Sequence, residues 1–179
     1  MKFKEFILES TKDEYSGIFI GRLQGITVGH TKVIDIMSKT HQQNYVVLVK
    51  GEKSSKDTER NPLPLEVQEK MIKKILQNNV KLIVAKSANL EDILPELEGK
   101  NFAVYAGPDR LSDYRKYATY IAKQGFNIKV VDTGQMLPRD DSISGTKLRL
   151  ALKNNDFEAF KKIAPKEIHS MFSELREYI

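Results

Sequence analysis

Ten residues, Gly21-Arg22-Leu23-Gln24-Gly25-Ile26-Thr27-Val28-Gly29-His30, combine three glycines with a guanidinium, a hydroxyl and an imidazole. The glycines mark places where the backbone turns tightly or approaches something closely. Thr27 is placed to cap a helix that starts at Val28, and Gly29 leaves its first turn bare of side chains. A helix start offers free N–H groups and the positive end of the dipole, an anion site whose commonest occupant is phosphate. Two other phosphate loops are excluded by spacing. The glycines do not fall at G-x-G-x-x-G intervals, and no Gly-Lys-Ser/Thr closes the stretch. Taken alone, it also reads as a plain glycine-rich turn in which His30 only packs.

A second group with the same chemistry is Ser142-Ile143-Ser144-Gly145-Thr146-Lys147-Leu148-Arg149. Ser144 is a good N-cap, with Gly145 and Thr146 opening a helix. Its free N–H groups, hydroxyls and Arg149 could converge on one phosphate. By itself this too is an ordinary capped helix. Gly107-Pro108-Asp109-Arg110 is turn chemistry. Lys50 to Arg60 is a basic loop, closed by Asn61-Pro62-Leu63-Pro64. His41 and His169 have no partners at metal-ligand spacing, so no protein metal site is expected. Phe157, Phe160, Met171, Phe172 and Leu175 read as core or dimer contacts.

These residues need a scaffold, and the apolar pattern supplies one. Strands are expected at Gly17–Ile20, Tyr45–Val49, Lys81–Ala85, Phe102–Ala106 and Asn127–Val131. Tyr45–Val49 is apolar throughout, the mark of a strand buried on both faces. Between them run helical patterns. His30, Val33, Ile34 and Met37 share a face of the first, which ends near Lys39-Thr40. Met71, Ile72, Ile75 and Leu76 share a face of the second. Asn89 should cap a short helix to Leu97, and Leu111, Tyr114, Ala118 and Ile121 mark another. From Gly145 the chain reads as mostly helical, with breaks at Asn154-Asn155 and Pro165. Residues 2–9 read as a short helix or edge segment, and 10–16 as a loop.

Strand and helix alternate, which predicts an α/β fold: a doubly wound, five-stranded parallel sheet with strand order 3-2-1-4-5 and C-terminal helices. Ligands of such sheets bind beyond the carboxyl ends of the strands, where the winding reverses. The Gly21–His30 and Gly107–Arg110 segments should meet there. The 179 residues are expected to form one domain, with a core over 17–153 and a helical appendage over 154–179. Hydrophobic residues make up 40% and charged residues 30%, which fits a soluble protein. No apolar run reaches membrane-spanning length, and charges interrupt the N-terminus, so neither a membrane span nor a signal peptide is expected. The absence of cysteine is compatible with a cytoplasmic location. A net charge of +5 suits anionic ligands, but it is too small and too evenly spread to argue for nucleic acid, which is not the expected partner.

Gly21 to His30 resembles the first signature of the nucleotidylyltransferase superfamily, written (H/T)xGH, here Thr27-Val28-Gly29-His30. The Thr form resembles the phosphopantetheine adenylyltransferases, and the Gly-Arg-x-Gln lead-in the nicotinamide mononucleotide adenylyltransferases. Where that family usually has Pro after the Gln, this chain has Gly25. Ile143 to Arg149 resembles the second signature, ISxTxxR. Gly107 to Arg110 resembles the Gly-x-Asp-Arg turn of the adenylyltransferases, and Arg60-Asn61-Pro62-Leu63 their Arg-Asn-Pro-Phe stretch. The resemblance spans residues 17 to about 153 and implies a Rossmann-like, HUP-type fold.

The implied activity is nucleotidyl transfer, in which AMP from ATP passes to a phosphorylated small-molecule acceptor and pyrophosphate leaves. The implied catalytic residues are His30, Thr27 and Arg22. Gly21, Leu23, Gln24, Gly29, Gly107, Asp109, Arg110, Ser144, Thr146 and Arg149 would bind nucleotide, and Lys50 and Arg60 the acceptor. Mg²⁺ would be held by the phosphates. ATP is favoured over CTP because Arg139 to Thr146 departs from the Arg-Thr-x-Gly-Ile-Ser-Thr of the cytidylyltransferases. Transfer from CTP, and a non-catalytic nucleotide-binding or assembly protein, stand as alternatives. A homo-oligomer is compatible with the sequence.

Overall fold

The computed structural model describes residues 14–51, 56–138 and 140–179. The segment expected over 2–9, most of the loop expected over 10–16, residues 52–55 of the basic loop, and Arg139 lie outside them. Five strands are present among the described residues: β1 (Ser16–Gly21), β2 (Asn44–Val49), β3 (Val80–Ala85), β4 (Asn101–Ala106) and β5 (Asn127–Asp132). The helices between and after them are α1 (Val28–Thr40), α2 (Leu65–Ile75), α3 (Leu90–Ile93), α4 (Pro108–Ala122), α5 (Thr133–Met136), α6 (Gly145–Lys153), α7 (Phe157–Ile163) and α8 (Phe172–Arg176).

The strands form one parallel sheet in the order β3-β2-β1-β4-β5, as the alternation predicts. β1 lies in the middle, paired with β2 on one side and β4 on the other. The chain winds outward to β3, then returns across β1 to wind the other way. That reversal opens a crevice at the carboxyl end of β1. Alternate residues of each strand feed two cores, Val46 and Leu48 against α1, α2 and the C-terminal helices, Tyr45 and Val47 against α3 and α4.

Two local expectations need correcting. Gly107-Pro108-Asp109-Arg110 is not a free turn: Gly107 is the N-cap of α4, and Pro108 its first residue, where the missing N–H costs nothing. Asn89 sits at the N-cap of α3, but its side chain does not cap it. The neighbouring Ser87 hydroxyl accepts the Asn89 N–H instead, at 3.1 Å, and donates to Asp92. That short helix gives way to a 3-10 turn over Leu94–Glu96, where Pro95 blocks further α-helical bonding.

At the far end of the sheet, α1 terminates without a glycine. The Asn79 amide donates to the carbonyls of Ser38 at 2.8 Å and His41 at 3.1 Å, satisfying the helix's last acceptors. Asn44 donates to the same His41 carbonyl at 3.2 Å. The cluster leaves no room over Gly17, where an added Cβ would overlap Met37 and Asn44. Gly17→Ala is therefore expected to lower unfolding free energy by about 1–3 kcal/mol through overpacking. Urea denaturation checks it, and an unchanged midpoint would show that this end of β1 can yield.

Candidate active site

The connection from β1 to α1 is held on its backbone. Leu23 is left-handed, with φ of 46°, a conformation that costs a branched side chain about 1–3 kcal/mol. Gly25 has φ of 116°, and an added Cβ there would press on Leu148 at 3.1 Å. Side chains from elsewhere fix these conformations. Gln68, in the first turn of α2, donates to the Arg22 carbonyl at 2.5 Å and the Leu23 carbonyl at 3.2 Å. Gln24 accepts from the Leu63 N–H at 2.9 Å and donates to the Leu63 carbonyl at 3.4 Å. Arg149 donates to the Gln24 carbonyl at 2.9 Å.

Thr27 caps α1 as expected, and His30 completes the cap. The Thr27 side chain accepts from the His30 N–H at 3.5 Å, and the Thr27 N–H donates to His30 Nδ1 at 3.1 Å. Because Nδ1 accepts, the neutral ring carries its proton on Nε2. Nε2 has no hydrogen-bond partner among the described residues. One side of the ring lies against Phe19, with centroids 5.8 Å apart. Thr27 thus orients His30, and it also lines the smaller of the two cavities beside it.

Two cavities flank this helix start. One, of about 980 Å³, is lined by the Arg22–Gly25 loop, His30, Arg60, Thr146, Arg149 and Lys153. The other, of about 430 Å³, is lined by Phe19, Thr27, Gly29, His30, Gly107, Asp109, Thr133 and Gly134. His30 stands at the edge of both. Ser144 caps α6, accepting from the Lys147 N–H at 3.2 Å, while Thr146 and Arg149 face the larger cavity. Arg22 is exposed there, and neither it nor Arg149 has an ion-pair partner among the described residues. Burial, and then the charge of Arg22, lower the Arg149 pKa.

Several expected ligand contacts are placed otherwise. Lys50 lines neither cavity, and its ammonium donates to the Leu63 carbonyl at 3.3 Å. Arg110 is exposed on α4 and lines neither. Gly21 ends β1 behind the loop; Leu23 and Gln24 line the larger cavity, though the Leu23 side chain packs into the core. The Gln24 amide is spent on Leu63. Sequence reasoning missed Gln68, Thr58, Lys153 and Tyr178. The signal for Lys153 was available: Thr146, Arg149 and Lys153 share one face of α6 at helical spacing. Nothing local marks Gln68, which reads only as a polar residue on an amphipathic helix.

Removal of water from the charged ring lowers the His30 pKa from 6.5 to about 4. The unfolded chain takes up this proton near pH 6.5, the folded chain only near pH 4. Between the two the unfolded state binds more protons, so stability is full above the window and falls as pH drops through it. Wild type should lose about 1–3 kcal/mol more than His30→Gln between pH 7 and pH 4, from the size of that shift and some residual hydration of the ring. Denaturation curves across that range test it, and parallel losses in both proteins would refute it.

The family model described as cytidylyltransferase-like matches residues 18–151, from β1 to α6. No curated protein matches the chain. Solved structures are similar in fold. Plasmodium falciparum nicotinic acid mononucleotide adenylyltransferase complexed with NaAD has a TM-score of 0.62 at 16% identity, over 93% of this chain and 99% of that one. A bifunctional NMN adenylyltransferase/ADP ribose pyrophosphatase from Francisella tularensis has a TM-score of 0.61 at 14% identity, over 91% of this chain and 50% of that one. The lipopolysaccharide core biosynthesis protein from Thermoplasma volcanium has a TM-score of 0.54 at 16% identity, over 66% of this chain and 94% of that one. The match over residues 18–151, carrying both signature motifs on a 3-2-1-4-5 sheet, establishes that this chain belongs to the cytidylyltransferase-like family of the nucleotidylyltransferase superfamily.

Proposed function

We propose that the protein transfers AMP from ATP to a phosphorylated small-molecule acceptor. The acceptor's phosphate oxygen attacks the α-phosphorus, the bond from that phosphorus to the bridging oxygen breaks, and pyrophosphate leaves with the bond's electrons. The observation that carries this reading is one cavity bordered by His30 from the start of α1, by the capped start of α6 and by the Arg22 and Arg149 guanidinium groups, neither of which has a carboxylate partner among the described residues. Such a place favours a polyanion.

The reaction needs positioning and charge neutralisation rather than a protein nucleophile. His30 would donate its Nε2–H to the α- and β-phosphate region. A neutral ring serves as a donor there, and an arriving phosphate would favour its protonation. Thr146 and Arg149 would hold the distal phosphates, with the Ser144 cap fixing the helix start beneath them. Arg22 would meet charge developing in flight. The smaller cavity, beside Gly107 and Asp109, suits the nucleoside, and the larger one, towards Arg60, suits the acceptor. Among the described residues no three His, Cys, Asp or Glu side chains come together as a metal site. Mg²⁺ is proposed to enter on the phosphates, where it would neutralise charge. No helix among the described residues is long and apolar enough to cross a membrane.

Pyrophosphate release, measured with each of the four ribonucleoside triphosphates and a panel of phosphomonoesters, tests the reading. ATP is expected to support turnover. Turnover with CTP alone would favour the cytidylyltransferase alternative that the family description keeps in view. Binding of ATP with no turnover on any acceptor would favour a nucleotide-binding module.

His30→Ala separates chemistry from packing. Losing one preorganised donor typically costs about 10²–10³ in rate. Single-turnover rate should fall by that order, with ATP affinity changing much less, because Thr146 and Arg149 remain. A lower melting temperature with turnover per folded molecule intact would assign His30 to the cap alone.

A further inference from the structure

Gln68 is fully buried beside the phosphate cavity, yet no ligand-facing role falls to it. Its amide nitrogen grips two consecutive carbonyls, those of Arg22 and Leu23. Its amide oxygen is buried with no hydrogen-bond partner. A buried polar atom left unpaired is destabilising, and a methionine would fill similar space without it. What the amide provides, and an apolar side chain cannot, is the hold on those carbonyls. They bracket the left-handed Leu23, and the first belongs to the peptide that joins it to Arg22. The Arg22 side chain meanwhile lines the same cavity as Arg149, near enough to disfavour its charge. Two like charges repel, so before an anion arrives the backbone must resist their separation.

We infer that Gln68 is a positioning residue, which locks the Arg22-Leu23 backbone and so aims the Arg22 guanidinium at the phosphate site ahead of ligand. The inference rests on the phosphate-binding reading of the cavity, and it concerns a residue outside both signature motifs. Two substitutions isolate the amide. Gln68→Met keeps length and removes the donor. Gln68→Glu keeps shape but turns a carboxylate on two carbonyl oxygens. Burial there raises the carboxyl pKa, and only the protonated form can donate.

Two measurements on the full chain decide it. The first is amide hydrogen exchange over residues 22–25 without ligand, expected to accelerate in Gln68→Met. The second is the affinity for inorganic pyrophosphate with Mg²⁺. Gln68→Met should lose about tenfold or more, in the range of a charge-assisted hydrogen bond. Arg22→Ala should lose a similar amount. The double variant should lose no more than Arg22→Ala alone, because Gln68 acts through Arg22. Relative to wild type at each pH, Gln68→Glu should match Gln68→Met at pH 8 and recover towards pH 6. A merely structural role would give additive losses and no such recovery, and either result overturns the inference, as does unchanged exchange in Gln68→Met. If wild type binds neither pyrophosphate nor Mg·ATP at millimolar concentration, the nucleotidyl-transfer reading falls and the aiming of Arg22 with it. The exchange measurement then still shows whether Gln68 holds the loop.

Discussion

The Arg149 guanidinium reaches back across 125 positions of sequence to the Gln24 carbonyl, and the bond is 2.9 Å long. It joins the loop after β1 to α6, the second helix after the last strand. Gly25 lies beneath this contact, packed against Leu148 with a positive φ. Any other residue there would strain the loop and press on α6. Across this junction His30, from the start of α1, and the start of α6 border the same cavity. A charged donor on a backbone carbonyl, part-buried, is among the stronger hydrogen bonds a protein makes.

The sheet makes the junction possible. The winding reverses at β1, so the loop leaving it is bordered by elements from both halves. α2 sends Gln68 to the loop from one side, and α6 sends Arg149 from the other. α4 and α5 border the smaller cavity. The C-terminal helices stand behind α6, with Phe160, Phe172 and Leu175 in the same core as Leu148 and Met71. Lys70 of α2 pairs with Glu174 of α8 at 2.6 Å on the rim of that packing. The appendage thus braces the helix that carries Thr146 and Arg149, a task that its amphipathic pattern alone does not indicate.

The cap of α1 joins structure to chemistry in the same economical way. His30 uses Nδ1 to satisfy an orphan backbone N–H, and this leaves the Nε2 proton directed elsewhere. Thr27 holds the ring and the ring holds Thr27. A histidine in a capping box has a fixed tautomer and little rotational freedom, two properties that a donor to phosphate requires. The low pKa follows from the same packing, because the ring is crowded by Phe19 and by its own helix start.

What the sequence determined by itself was local or periodic. The β1 run, the all-apolar β2 and the alternation with helices were enough for the sheet order, since parallel crossovers allow few windings. Thr27 and Ser144 were legible as caps because capping is decided within three residues. The motif pairs led to the right superfamily. Only the tertiary structure decided which polar groups stay available. Gln24 and Lys50 are consumed by the backbone of Leu63, a residue far from Gln24 in sequence. Arg110 follows Gly107-Pro108-Asp109 in sequence but lies outside the cavity, because Pro108 turns the segment into α4. Gln68 has no local signature and earns its place through contact with carbonyls on another element. Propensity and spacing act along the chain, whereas the pairing of buried donors and acceptors is settled across it, where each group must find its partner in the packed interior.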